Sequence, residues 1–377
     1  MSGALLHVVG ARPQFVKAAA VLRAARLPER HQILHTGQHG DVGLSDVFFQ
    51  ELAIQPPSHN LGITGGTHGA QTGRFLDGIE QVLLKDRPDA VVIYGDTNST
   101  LAGALAAAKL GIPLIHIEAG LRAFERHMPE EINRVVADRL SDVLLCPTAR
   151  SVRWLELEGL TRGVQLVGDV MLDIALRERP RATATPIARY LAGDRRGPPP
   201  EAIDALGFPC GPFILATLHR AANTDDPARL RRLLAALGDV ATRFAPVVWP
   251  LHPRTRNALA RSDLALPPGV VPLPPQGYHA FAALLLGAEA VVTDSGGVQK
   301  EAFFAARRCV TLRDRTEWEE TLEGGWNRLA GDEPEGLYEA LSGPAPTAAP
   351  DLAAFGDGRA SERCVAAIEG HAHRPAP

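Results

Sequence analysis

Cysteine is scarce. The 377 residues hold 4, Cys146, Cys210, Cys309 and Cys364, far apart and without CxxC or metal-ligand spacing. A disulfide framework and a zinc ribbon are thereby excluded, and reduced thiols in a cytoplasmic protein are the economical expectation. No apolar run approaches the roughly 18 residues that a membrane span needs. The most apolar stretch, 281–292, is short and carries Glu289. The opening MSGALLHVVGARPQ lacks the basic and long apolar regions of a secretory leader and reads as a first strand. Charge of one sign is missing too: 39 Lys+Arg oppose 43 Asp+Glu, a net charge of -4. A general nucleic-acid binder would show a basic excess. GxGxxG and GKS/T are both absent, which disfavours dinucleotide and P-loop chemistry. No repeat recurs at the roughly 20–50-residue periods of solenoids and propellers.

What is present is a globular composition, 45% hydrophobic and 22% charged, in a chain long enough for two domains. Short apolar runs alternate with Ala/Leu-rich segments of helical period. The strand candidates of the first half are 4–10, 31–36, 90–96, 113–118, 142–146 and 164–168, with helices such as 15–25, 99–110 and 131–140 between them. Near-continuous apolar strands are those buried on both faces of a parallel sheet. Such repetition implies right-handed βαβ units and a doubly wound sheet.

The pattern breaks at 177–212, where RERPRATATP and GDRRGPPPEA read as a linker or irregular hinge. It restarts with strands expected at 213–219, 247–252, 270–276, 290–295 and 309–313. The fold class is therefore α/β, with two Rossmann-like doubly wound domains, 1–176 and 213–377, facing a cleft. A last helix at 361–370 is free to pack back on the N-terminal domain.

Ligands of open α/β sheets bind beyond the carboxyl ends of the strands. The first strand delivers Arg12, with Pro13 suited to the first helical turn and Lys17 one turn further. Free N–H groups with two cations make an anion site; an ordinary strand–helix turn is the plainer alternative. The 36–41 loop adds His39, a weak signal by itself. Asp96 follows AVVIYG, and Glu118 ends the next strand, LIHIEAG. In MPEEINR, Glu130 and Arg134 are four apart, either an ion pair or a substrate clamp. Three acids on one rim make chance placement a poorer account than chemistry.

Strands of the second half end in His219-Arg220, His252-Pro253-Arg254, Gln276 and Asp294-Ser295-Gly296-Gly297. Ser295, Gly296 and Gly297 open a helix and offer backbone N–H groups to a phosphate with no Cβ in the way. Glu301, one turn in, is placed to accept from ribose hydroxyls; a dipole-complementing Glu after a glycine turn is the alternative. His252 and Gln276 join them as substrate-binding candidates. Acids on one domain and a phosphate site on the other suggest a nucleotide-linked substrate.

GARPQFVK, TGQH, YGDTNSTLAGALAA, IHIEAGLR, MPEEINR, LHR, TDSGGVQKEA and TLRDRTEW together resemble the non-hydrolysing UDP-N-acetylglucosamine 2-epimerases, of GT-B architecture, over most of the chain. The resemblance implies a UDP-sugar substrate, no metal or other cofactor, no nucleic-acid or membrane partner, and a homodimer in cytoplasmic polysaccharide biosynthesis. Carried over by motif, Asp96, Glu118, Glu130 and His219 are the catalytic set, with Arg12, Lys17 and Arg134 beside them. Ser295, Gly296 and Gly297 become the diphosphate loop, Glu301 the ribose partner and Phe281 the aromatic near the uracil. The implied reaction removes the sugar C2 proton while UDP leaves C1; UDP then adds back to the glycal and a proton returns to C2 from the opposite face. Where close relatives read HRRE and TERPE, this chain has His219-Arg220-Ala221-Ala222 and Thr316-Glu317-Trp318-Glu319. The TEW form, with GWN at 325–327, resembles a branch that includes UDP-2,3-diacetamido-glucuronate 2-epimerases. A GT-B glycosyltransferase and a hydrolysing 2-epimerase are the competing readings.

Overall fold

The computed structural model describes residues 3–38, 48–191, 211–331 and 333–371. The chain divides into two compact units, Met1–Leu176 with Leu352–Pro377, and Arg177–Asp351.

Unit 1 is built on strands β1 (Leu5–Val9), β2 (His31–His35), β3 (His59–Asn60), β4 (Ala90–Tyr94), β5 (Leu114–Ile117), β6 (Val143–Cys146) and β7 (Val164–Leu166), in the order β3-β2-β1-β4-β5-β6-β7. Every pairing is parallel. The order reverses between β1 and β4, which opens a crevice at their carboxyl ends. Helices α1 (Arg12–Ala24), α2 (His68–Asp86), α3 (Asn98–Lys109), α4 (Pro129–Leu140), α5 (Ala149–Leu157) and α6 (Val170–Thr183) follow in chain order. The β4 run AVVIY is wholly buried because helices cover both faces. The small side chains of α3 let it lie close to the sheet: a Cβ at Gly103 would stand 3.0 Å from Ile93 Cγ2.

Unit 2 repeats the plan with β8 (Ile214–Thr217), β9 (Val247–Pro250), β10 (Val270–Leu273), β11 (Ala290–Thr293), β12 (Arg308–Thr311) and β13 (Asn327–Leu329), ordered β10-β9-β8-β11-β12-β13. The reversal here lies between β8 and β11. Its helices are α7 (Pro186–Leu191), α8 (Ala221–Thr224), α9 (Pro227–Arg243), α10 (Pro253–Arg261), α11 (Tyr278–Gly287), α12 (Gly296–Phe304) and α13 (Gly336–Ser342). One apolar cluster, with Trp249 and Leu230, fills one side of the sheet, and another, with Phe281 and Val298, fills the other.

Two expectations are corrected. The first part of the supposed linker is helical: α6 runs through to Thr183 and α7 follows, with Ile187 buried against Phe213 and Leu215. Pro180 lies inside α6 and Pro186 opens α7, while Arg177, Arg179 and Arg181 stand on a solvent face. Residues 192–210, with Cys210, lie outside the described residues. The short strands β3 and β13 also escaped the periodicity, being too brief to show one. The final helix, α14 (Ala360–His371), belongs to unit 1 and packs on α1. Its first turn is capped from afar, Asp173 Oδ1 and Oδ2 accepting from the Ala360 and Ser361 N–H groups at 3.2 and 2.6 Å.

Cys146, Cys309 and Cys364 are free and buried. Burial pushes the Cys146 and Cys309 thiols up to about 12, so neither supplies a thiolate at neutral pH.

Candidate active site

In unit 1 the polar side chains converge where the strand order reverses. The turn after β1 is tight because a Cβ on Gly10 would fall 2.1 Å from Thr36 Oγ1 and 2.3 Å from Ser99 Oγ. Gln14 holds it, accepting from the Gly10 and Ala11 N–H groups at 2.8 and 3.1 Å. The same amide donates to the Tyr94 carbonyl at 2.9 Å and to Thr100 Oγ1 at 3.0 Å. Gln14 thus ties the carboxyl ends of β1 and β4 together. Arg12 lies above the Phe48 ring at 4.7 Å, and Lys17, one turn on, is buried.

Lys17 Nζ pairs with Glu118 Oε1. Glu118 is 8% exposed, so the pair is screened little by solvent. Its backbone is left-handed, φ +69°, a strained geometry for a non-glycine residue that clusters at functional sites. Next to the pair stands the turn that carries Asp96. Gly95 there has φ +59°, and a Cβ on it would reach within 3.0 Å of Lys17 Nζ and 3.3 Å of Glu118 Oε1.

Helix α4 holds Asp96 from the other side. Arg134 Nη2 donates to Asp96 Oδ2 at 2.5 Å and Nη1 to Glu131 Oε2 at 3.1 Å. Asn133 donates to the Asp96 carbonyl at 2.9 Å. Of the two alternatives for Glu130 and Arg134, the i,i+4 ion pair is not made. The guanidinium of Arg134 turns inward to Asp96 and Glu131, while Glu130 stays half-buried on the helix. Glu131, the neighbour the sequence did not single out, also accepts from the Ala123 and Phe124 N–H groups at 3.0 Å each and so fixes the loop before α4. A second buried set lies behind the turn. His116 Nε2 meets the Gly95 carbonyl and Nδ1 meets Asp138 Oδ1, both at 2.7 Å. Burial alone would push the Asp138 carboxyl up, but the His116 and Arg122 contacts outweigh it and hold the group below the usual carboxylate range. His39 lies outside the described residues.

In unit 2 the reversal between β8 and β11 is tied by Asp294. Its buried carboxylate accepts from the His219 and Arg220 N–H groups at 2.9 and 2.8 Å and from Asn223 Nδ2 at 2.9 Å. The imidazole of His219 stacks on that of His252, centroids 5.2 Å apart. His252 Nδ1 accepts from the Arg254 N–H at 3.2 Å, capping α10, and its side chain is exposed. Gln276 is buried and donates to the Pro274 carbonyl at 2.7 Å, a local turn contact. Ser295, Gly296 and Gly297 are half-buried at the start of α12, and Glu301 lies one turn in. Phe281 is 4% exposed and packs with Leu284 and Val298. Leu and Val around it make it a core aromatic in this structure.

The segment after β12 is folded onto α12. Gln299 Oε1 accepts from Thr316 Oγ1 at 2.6 Å and Asn327 Nδ2 at 3.0 Å. Glu317, 2.8 Å from Arg313, fills the space a Cβ on Gly296 would need, 2.3 Å away. Beneath lies Trp318, 2% exposed, with the buried Lys300 ammonium 3.7 Å above its ring. These contacts join residues distant in sequence, and only the polarity of TDSGG and TEW hinted at them. Among the described residues, no group of three or more His, Cys, Asp and Glu is arranged to hold a metal ion, and no helix is long and apolar enough to cross a membrane.

Known proteins resemble this arrangement over nearly its full length. The UDP-2,3-diacetamido-2,3-dideoxy-D-glucuronate 2-epimerase of Pseudomonas aeruginosa is 47% identical over 365 residues, 95% of this chain and 97% of that protein. The UDP-N-acetylglucosamine 2-epimerase of Methanocaldococcus jannaschii is 38% identical over 95% of this chain and 96% of its own. A crystal structure from the same organism, of a UDP-GlcNAc 2-epimerase in complex with UDP-GlcNAc and UDP, superposes with a TM-score of 0.85 at 37% identity, covering 96% of this chain and 98% of that one. The profile described as UDP-N-acetylglucosamine 2-epimerase matches residues 23–369. With two doubly wound units whose polar residues gather where each strand order reverses, and with this breadth of likeness, the chain belongs to the UDP-N-acetylglucosamine 2-epimerase family.

Proposed function

We propose that this protein inverts C2 of a UDP-linked 2-acetamido sugar without net hydrolysis, by eliminating UDP to a glycal and adding it back. The observation that carries the reading is the meeting of two acid–cation pairs, the half-buried Asp96–Arg134 and the buried Lys17–Glu118, around the Gly95 turn. Epimerisation at C2 takes a proton from one face and returns it to the other, so it uses more than one acid/base group. Asp96, Glu118 and Glu130 are those groups in this reading. General acid–base catalysis of this kind is worth about 10²–10⁴-fold. Loss of UDP from C1 develops charge on the diphosphate, which Arg12, His219 and the N–H groups of Ser295, Gly296 and Gly297 stabilise. Glu301 takes the ribose hydroxyls, and Lys17, Arg134, His252 and Gln276 complete the polar set.

The preferred substrate in this reading is the 2,3-diacetamido-glucuronate nucleotide, supported by the 47% identity to the Pseudomonas aeruginosa enzyme. UDP-N-acetylglucosamine is the second candidate, supported by the Methanocaldococcus jannaschii relative. The family resemblance further supports a homodimer working in cytoplasmic polysaccharide biosynthesis. Proton NMR in D₂O with each nucleotide sugar is the test. Deuterium at C2 with the inverted UDP-sugar is expected; free sugar plus UDP means the hydrolysing reaction, and no exchange with either substrate refutes the epimerase.

A further inference from the structure

His116 sits within β5 and is wholly buried. Its Nε2 faces the Gly95 carbonyl oxygen at 2.7 Å, and a carbonyl oxygen only accepts, so Nε2 carries a proton. Its Nδ1 faces Asp138 Oδ1 at 2.7 Å. A neutral ring has one N–H, already used; the second contact then requires either a charged ring or a protonated Asp138. The other partners of Asp138 decide between them. Arg122 Nη1 donates to Oδ2 at 2.7 Å, and the Gly120 N–H donates to Oδ2 at 3.1 Å and Oδ1 at 3.3 Å. A carboxyl so surrounded by donors is ionised. Nδ1 therefore donates as well.

We propose that His116 is a buried imidazolium and that, held by Asp138, it is a positioning residue for the carboxylate of Asp96. The Gly95 carbonyl belongs to the peptide that leads into Asp96, in a turn where Gly95 has φ +59°. The imidazolium fixes the rotation of that peptide and sets a positive charge one residue from the carboxylate. Helix α4 then holds the turn at three successive points: Asp138 through His116 on the Gly95 carbonyl, Asn133 on the Asp96 carbonyl, and Arg134 on the carboxylate. Other charged or titratable groups face this cluster from each neighbouring element. They are Glu131 from α4, Lys17 from α1, Glu118 after β5, Arg122 with Glu158 behind it, and the Cys146 thiol of β6. The net effect fixes the turn that presents the Asp96 carboxylate, which accepts the C2 proton in the reading above, on which the kinetic consequence rests.

The test uses the full chain labelled with ¹⁵N-histidine, the His116 signals being assigned by their loss in His116→Gln. Two protonated ring nitrogens are expected for wild type at pH 7.5; a single one overturns the assignment. Asp138→Asn should give the neutral Nε2–H ring, since its amide N–H now donates to Nδ1 and the Gly95 bond survives. Its kcat for C2 exchange should fall by about tenfold or more, the cost of a base displaced by a loosened turn, while KM and UDP affinity move less than about threefold. A neutral ring with unchanged kcat overturns the positioning role, because a purely structural pair would lower stability and not turnover. Should Asp138→Asn not fold, His116→Gln, whose amide donates to the Gly95 carbonyl without charge, carries the same kinetic test. If the wild type shows no C2 exchange, the epimerase reading fails, yet the ¹⁵N spectrum still decides the charge of the ring.

Discussion

Asp96→Asn separates chemistry from architecture. The side chain of Asp96 is 27% exposed, while that of Arg134 is 2% exposed and retains Glu131 as a partner. Asparagine keeps an oxygen for Arg134 Nη2 and leaves the Asn133 bond to the residue 96 carbonyl untouched. One charge-assisted bond becomes a neutral one, a change of about 1 kcal/mol. Against a typical stability of about 5–15 kcal/mol the variant stays folded. Turnover is another matter, because an amide takes no proton from C2. A lost general base is worth about 10²–10⁴-fold, or roughly 3–5 kcal/mol on the barrier. Deuterium incorporation at C2 should therefore drop by that factor, with UDP affinity by calorimetry within about threefold of wild type. A variant that exchanges C2 at within about threefold of the wild-type rate refutes the assignment of Asp96 as an acid/base group.

Gly296→Ala places a methyl 2.3 Å from Glu317 Oε1, whereas a Cβ on Gly297 meets nothing within 4 Å. UDP affinity should fall about tenfold for Gly296→Ala, with Gly297→Ala keeping the wild-type melting temperature; equal affinity for Gly296→Ala and wild type sinks the phosphate-loop assignment. Lys300 and Trp318 should show coupling of about 2 kcal/mol in a double-mutant cycle of Lys300→Met and Trp318→Leu, as expected for a desolvated cation over an indole. Additive losses would show that the buried ammonium does not depend on the ring. His7 is buried with Nδ1 2.6 Å from Tyr94 Oη and Nε2 2.8 Å from His31 Nδ1. Burial first, and then His31, lowers its pKa well below the usual histidine value. The unfolded chain takes up that proton near pH 6.5 and the folded one does not, so stability is full above about 6.5 and is lost as pH falls toward the folded value. Hydrogen-exchange protection in unit 1, taken relative to the intrinsic rate at each pH, should fall from pH 7 to 5, and His7→Gln should flatten that fall; an unchanged slope would remove His7 as its source.

The sheets were legible because a parallel strand buried on both faces must be apolar throughout, and AVVIY or AVVT cannot be read otherwise. Strands of two or three residues, such as β3 and β13, carry too little pattern to stand out. The rim residues were legible one by one, since a charged group ending an apolar strand has few structural reasons to be there. Their partners were not. Glu130 and Glu131 are adjacent and chemically alike, and only the rotation of α4 puts the second on Arg134. His116 hides inside LIHI because a buried imidazole bonded on both nitrogens occupies a strand position as an apolar residue would. Phe281 shows the reverse limit: its place in a motif named a role, while its burial among Leu284 and Val298 is set by packing that no local window records.

The path of the chain also orders its own making. Unit 1 needs α14, whose first turn is capped by Asp173 and which packs on α1, yet residues 177–351 are synthesised in between. At about 5–20 residues per second, the ribosome spends roughly 10–35 s on that stretch. Through this interval the apolar surface that α14 will cover, near Val365 and Ile368, waits without its partner. The later-made unit is thus the first able to finish folding, and a nascent chain halted before residue 352 leaves the acid-bearing half exposed to chaperones and proteases.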